Sequence, residues 1–171
     1  MMMTNVDAAP GEMDWYVAHT RPRREKKLAE FCLREGFEVT LPLYKSVKKY
    51  RGKTVVFEKP LFPNYVFLKL LQPQRQKVYQ SDHVANLLEV PDQREFTEQL
   101  GDILLALETE LDVRLAPQIT AGVQVRIKSG PLRGLDGWVE NRTGMTEVLL
   151  RLDFIQQAAA VRQNAEDLEL I

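Results

Sequence analysis

Hydrophobic and polar positions alternate, shift to helical spacing, and then alternate again along the first two thirds of the chain. Residues 14–19 (DWYVAH) are aromatic and β-branched, which predicts a strand. Thr20 stands where it can cap a helix, with Pro22 near the first turn and Glu25 just inside. Leu28, Phe31 and Cys32 then recur at helical spacing, and Gly36 is placed to end the helix. Phe37 to Tyr44 returns to a strand pattern, in which Pro42 predicts an edge or bulge. Val47–Tyr50 and Thr54–Phe57 flank Arg51-Gly52, the signature of a hairpin. Tyr65 to Leu70 is a second strongly apolar strand, Pro73 opens a short helix to about Ser81, and Val84 to Val90 reads as a strand. Over 92–113, Phe96, Leu100, Ile103, Leu104, Leu107 and Leu111 form an apolar helical stripe. The order β-α-β-β-β-α-β-α predicts an α+β fold, an α/β sandwich over residues 14–113.

Leu115 to Thr120 breaks the periodicity, so residues 114–120 are expected to be a linker. Beyond it the composition changes. Five of the nine glycines lie between Gly122 and Gly144, and short alternating runs at Val123–Ile127, Trp138-Val139 and Val148–Leu152 predict a small β-barrel over 121–171. Asp153 to Leu170 conflicts with this, because its alanine run and its Gln, Glu and Leu residues favour helix. The upstream glycines and Pro131 disfavour a long helix in the same unit, which decides for the barrel.

Charge changes the picture more than composition does. The chain is 171 residues long, 44% hydrophobic and 27% charged, with a net charge of −1. Residues 15–70 nevertheless carry 13 Lys/Arg against 5 Asp/Glu, while residues 71–171 carry 10 against 16. A basic block inside a neutral chain points to a polyanionic partner. Residues 1–13 have no lysine or arginine and no apolar run, and are read as a disordered tail, not a secretory signal. No apolar run approaches the roughly 18 residues of a membrane span. One cysteine and two histidines leave no internal disulfide and no nitrogen/sulfur zinc site, and Cys32 reads as a core residue. A cytoplasmic monomer without metal or cofactor is expected. No nucleophile elbow, phosphate-binding loop or metal helix is present, which argues against an enzyme.

Two stretches are specific: Arg51-Gly52-Lys53 followed by PLFPNYVF (60–67), and GVQVRIKSGPLRGLDGWV (122–139). Together with the opening WYV and Thr20-Arg21-Pro22-Arg23, in this order, they resemble the NusG family of transcription elongation factors. The resemblance implies an NGN domain over 14–113 and a KOW domain, an SH3-like five-stranded barrel, over 121–171. The PLFPNYVF wording is closer to the specialised RfaH-like paralogues than to housekeeping NusG.

The same resemblance implies partners. An apolar aromatic site made by Leu61, Phe62, Pro63, Tyr65 and Phe67 would grip the clamp helices of the RNA polymerase β′ subunit. His19, Arg21, Arg23, Arg24 and Lys27, where a strand meets a helix start, would lie against non-template DNA, with Gln80 and Ser81 flanking. Phe154, Ile155 and Gln157 in the KOW domain would meet termination factor Rho or the ribosomal protein NusE. The His-Thr-Thr stretch by which some specialised members touch the polymerase β gate loop is absent, the matching region being Gln72 to Lys77. The implied activity is suppression of pausing and antitermination. Two alternatives stand beside it: a housekeeping NusG that recruits Rho, and a KOW-type RNA- or ribosome-binding module without polymerase contact.

Overall fold

The computed structural model describes residues 2–4, 13–109, 112–117, 122–142 and 145–171. These form two compact units, 1–93 and 94–171.

In the first unit the strands β1 (Met2–Thr4), β2 (Asp14–Thr20), β3 (Glu38–Tyr50), β4 (Lys53–Pro60), β5 (Tyr65–Leu70) and β6 (Val84–Glu89) form one antiparallel sheet. Its order is β1-β3-β5-β2-β6, with β4 paired to β3. The expected tail therefore contains a strand. Met2–Thr4 pairs with Thr40–Pro42, which lie along the side of β3 that faces away from β5. Residues 5–12 of the tail lie outside the described residues.

Helix α1 (Glu25–Arg34) covers one face of this sheet. Its Leu28, Ala29 and Cys32 share a core with Tyr16, Ala18, Val39, Leu41, Val66, Leu68 and Leu70. Two-residue alternation puts Val17 and Phe67 on the other face. The helix begins four residues later than a Thr20 cap would place it. Thr20 instead continues β2, paired to Val84, and residues 21–24 form a turn closed by the Arg24 amide on the Arg21 carbonyl at 3.2 Å. Gly36 ends the helix as the pattern predicts: its φ is +77°, and the Phe37 amide returns to the Cys32 carbonyl at 2.9 Å. Burial first, then the charge of Glu35, pushes the Cys32 thiol up to about 12, so it packs as a hydrophobe.

Pro42 sits at a changeover within β3. Residues 38–40 pair with β5 and residues 43–50 with β4, so the missing amide falls between those two ladders, at the residue that β1 meets through Met2. The β3–β4 hairpin closes through Arg51-Gly52, both at positive φ (+47° and +77°), as a type I′ turn requires. A 3₁₀ turn at residues 72–74 leads into α2 (Arg75–Gln80), close to the expected short helix. After β6, the Gln93 side chain brackets β2, accepting from the Trp15 amide at 2.6 Å and donating to the Trp15 carbonyl at 3.0 Å.

The second unit holds most of α3 (Gln93–Thr109) and the strands β7 (Val113–Pro117), β8 (Val123–Ile127), β9 (Asp136–Arg142), β10 (Met145–Leu152), β11 (Gln157–Arg162) and β12 (Leu168–Leu170). The sheet order is β12-β8-β9-β10-β11-β7. Part of the expected linker is thus a strand: Val113–Pro117 pairs with Val161–Gln157, adding a sixth strand to the expected five. Residues 118–121 lie outside the described residues. This pairing also resolves the conflict at the alanine run. Between β10 and β7, Ala158, Ala159 and Ala160 are buried on both faces, where small side chains pack tightly and helix propensity is overridden. Ala116, Leu149, Ala158 and Ala160 form one such cluster. Within the same unit, Gln99 of α3 donates to the Asp153 carboxylate at 2.7 Å and accepts from its amide at 2.9 Å. By compactness α3 groups with the strands that follow it, whereas the sequence pattern assigns it to the unit before.

Candidate functional site

The expected site residues of the first unit meet at one end of its sheet, where β2 stops and β5 and β6 start. Phe62-Pro63-Asn64-Tyr65 is a turn: the Tyr65 amide donates to the Phe62 carbonyl at 3.2 Å, and Asn64 takes φ +71° after the proline, the pattern of a type II turn. The Asn64 carbonyl accepts from the Thr20 amide at 2.8 Å, and the His83 carbonyl accepts from the Arg21 amide at 2.9 Å. Residues 20–24 are thereby held between the turn at 62–65 and the turn at 81–83. Arg23, Asn64 and Asp82 all have positive φ without being glycine. Such conformations cost about 1–2 kcal/mol each and persist where the surroundings dictate them.

The aromatic set divides. Leu61, Phe62 and Phe67 are fully buried, and the Phe62 and Phe67 rings pack edge to face at 6.1 Å. Their side chains are core, not surface. Pro63 is exposed and Tyr65 half-buried. Tyr65 lies directly opposite exposed His19 in the β2–β5 ladder, with ring centroids 5.4 Å apart.

The basic set comes together. Arg21, Arg23, Arg24 and Lys27 are all exposed along the turn and first helical turn. Arg21 pairs with Asp82 at 3.2 Å. His83, which lies far from these residues in sequence, is their neighbour: burial first, then the positive charges of Arg24 and Lys27, lower its pKa from the ordinary histidine value. The exposed guanidinium and ammonium groups beside it make that surface a field of cations able to meet phosphate. Of the flanking pair, Gln80 is exposed, while Ser81 is engaged in its own turn, donating to the Val78 carbonyl at 2.6 Å. Asp82 and His83 carry no local signal; only the register of β6 on β2 brings them here.

At the region matching the gate-loop stretch, Arg75 binds Glu89 at 3.1 Å and the Gln74 side chain accepts from the Leu71 amide at 2.8 Å. An open cleft of about 550 Å³ lies alongside, lined by Gln72, Pro73, Arg75, Gln76 and Tyr79.

In the second unit, Phe154 and Ile155 lie in a 3₁₀ turn between β10 and β11. Phe154 is half-buried with its ring at 6.5 Å and 87° to Phe96, Ile155 is buried, and Gln157 begins β11 with its side-chain oxygen enclosed and without a partner among the described residues. No helix among the described residues is long and apolar enough to cross a membrane. No cluster of three or more His, Cys, Asp or Glu side chains among them is arranged to hold a metal ion.

The chain thus has two units, the first a sheet with short helices and a basic sheet end, the second a sheet of six strands together with most of α3. A family model described as "NusG: Transcription termination factor nusG" matches residues 13–102, and the chain belongs to the NusG family. It is thereby placed in the class of transcription elongation factors, whose members are not enzymes. Among solved structures it is similar to NusG of Thermotoga maritima, from a structure on domain interaction in that protein. The identity is 18% and the TM-score 0.50, over 94% of this chain and 98% of that one. A structure of the MjSpt4:Spt5 complex in conformation B matches at 16% identity and a TM-score of 0.28, over 92% and 96% of the two chains. The Thermotoga match supports the pairing of an NGN-like and a KOW-like part. No curated protein matches the chain.

Proposed function

We propose that this protein rides on RNA polymerase as an elongation factor, gripping the β′ clamp helices with the apolar sheet end and laying its basic turn against non-template DNA. The observation that carries the reading is the adjacency of His19 and Tyr65: a ring suited to a protein groove stands beside the cations of Arg21 to Lys27. An aromatic anchor that enters a partner's groove is the usual energetic centre of such contacts. Exposed Pro63 and half-buried Tyr65 form the contact surface, and buried Leu61, Phe62 and Phe67 set the shape beneath it. Bridging polymerase and the displaced strand would suppress pausing and favour antitermination on particular operons.

The second reading, a housekeeping factor that recruits Rho, is favoured by the description of the matching family as a termination factor. In that case the turn at Phe154 and Ile155 would be the Rho- or NusE-facing element, with Gln157 at its edge. A pause assay on several templates with the full-length protein, with and without Rho, separates the two. Faster passage through pauses, selective for template and indifferent to Rho, supports the first. Shortened transcripts only when Rho is present support the second. No effect on polymerase in any arm overturns both.

A further inference from the structure

The β3–β4 hairpin lies outside the sheet end just described, and its surface has a pattern of its own. Residues 44–60 carry six Lys/Arg against one acid, Glu58. Alternation divides the hairpin into two faces. On one of them the cross-strand pairs are Tyr50–Lys53, Lys48–Val55, Ser46–Phe57 and Tyr44–Lys59. Every rung of that face therefore presents a lysine, an aromatic ring or both. Tyr50 is 70% exposed and Phe57 47%, and Lys48 and Lys53 are exposed. Lysines alone are what an exposed hairpin needs to resist edge-to-edge pairing. Open aromatic rings are not, since they add apolar surface that the sheet core does not use.

We propose that this face binds a single nucleic-acid strand, with the lysines meeting phosphates and Tyr50 and Phe57 stacking bases. The Tyr50 and Phe57 rungs stand four residues of strand apart, about 13 Å at 3.3 Å per residue. The Lys48 rung lies between them, so phosphate contacts fall between two stacking platforms. Ring-on-base stacking with point-charge lysines does not discriminate sequence or sugar. The hairpin is thus a general strand holder. Its residues are separate from the Arg21–Lys27 set, which adjoins the hairpin where the Lys26 ammonium donates to the Glu58 carbonyl at 2.6 Å, and it does not depend on the polymerase contact proposed above.

The test is fluorescence anisotropy of the full-length protein with labelled (dT)₁₂, rU₁₂ and a 12-base-pair duplex across a salt series. The proposal expects the two single strands to bind alike and more tightly than the duplex. Lys48→Ala with Lys53→Ala should lower the slope of log K against log salt by about 1.4, at about 0.7 per phosphate contact. Tyr50→Ala with Phe57→Ala should weaken single-strand binding about tenfold or more while leaving that slope unchanged. All four positions are exposed, so unchanged melting temperatures are expected and serve as the folding control. Arg23→Ala with Arg24→Ala distinguishes the sites. If that pair abolishes single-strand binding and the hairpin variants bind as wild type, the hairpin assignment is overturned, whatever the outcome of the pause assay. Tighter binding to the duplex, or an aromatic double variant with wild-type affinity, also overturns it.

Discussion

His19 and Tyr65 face each other across the β2–β5 ladder with ring centroids 5.4 Å apart, joining the end of a basic turn to the edge of an aromatic one. Two substitutions separate the roles on either side of that pair. Tyr65→Ala is expected to weaken polymerase binding by about 2 kcal/mol, as central interface aromatics do, with little change in melting temperature. Phe67→Ala empties a fully buried position and is expected to cost about 3–5 kcal/mol of stability. Polymerase pull-down and thermal denaturation of both variants read this out. Wild-type binding by Tyr65→Ala in a folded protein would remove Tyr65 from the polymerase surface.

Arg23 offers a cleaner probe of the basic turn than a truncation to alanine. Its φ of +61° is the region glycine prefers. Arg23→Gly should therefore leave stability unchanged or raise it by up to about 1 kcal/mol, while deleting a charge. Combined with Arg24→Ala, it should reduce recruitment to paused transcription complexes more than binding to free polymerase. Equal losses in both assays would argue against DNA contact by this turn.

The glycines make opposite predictions according to their surroundings. A Cβ on Gly137 would lie 2.5 Å from Val148 Cγ1 and 2.8 Å from the Leu149 carbonyl oxygen. Gly137→Ala must push β9 from β10 and is expected to cost about 2 kcal/mol or more. Gly101, inside α3, has open space around it and no positive φ. Gly101→Ala should instead stabilise by about 0.5–1 kcal/mol. Urea titration of the two variants should move the midpoints in opposite directions.

Asp102 gives a pH signature. Burial first, then the charges of Glu98 and Asp136, raises its pKa in the folded state. A raised carboxyl pKa means the folded state resists ionisation. The penalty is absent when both states are protonated, below the unfolded value near 4, and complete above the folded value. Asp102→Asn should therefore raise the melting temperature at pH 7 by about 1–2 °C, and the gain should vanish near pH 3. A gain that is the same at both pH values would point to packing instead of charge.

Much of the fold was legible in short windows. The C-terminal end of α1 and the β3–β4 turn are local events: Gly36 and Gly52 take the positive φ that their neighbours' patterns call for, and Pro42 falls where β3 passes from the β5 ladder to the β4 ladder. The stripe of α3, the glycine-rich last third and the charge of residues 15–70 needed no partner to be read. Thr20 shows where windows fail. As a residue type it invites a helix cap, but the Asn64 carbonyl and Val84 draw it into a strand.

What tertiary structure alone decided is pairing and burial. Val113–Pro117 has no strong strand pattern, yet β11 offers it an edge, and once it is paired the alanines of β11 are enclosed and become strand as well. Phe62, Phe67 and Tyr65 are equally aromatic in the sequence; the turn at Pro63-Asn64 and the register of β5 bury the first two and leave the third at the rim beside His19. Asp82 and His83 join Arg21 because β6 pairs with β2 across more than 60 residues of chain. Local pattern encodes which residues can form a strand or a helix. Which strand lies beside which depends on backbone hydrogen bonds and contacts between distant segments, which no single window contains.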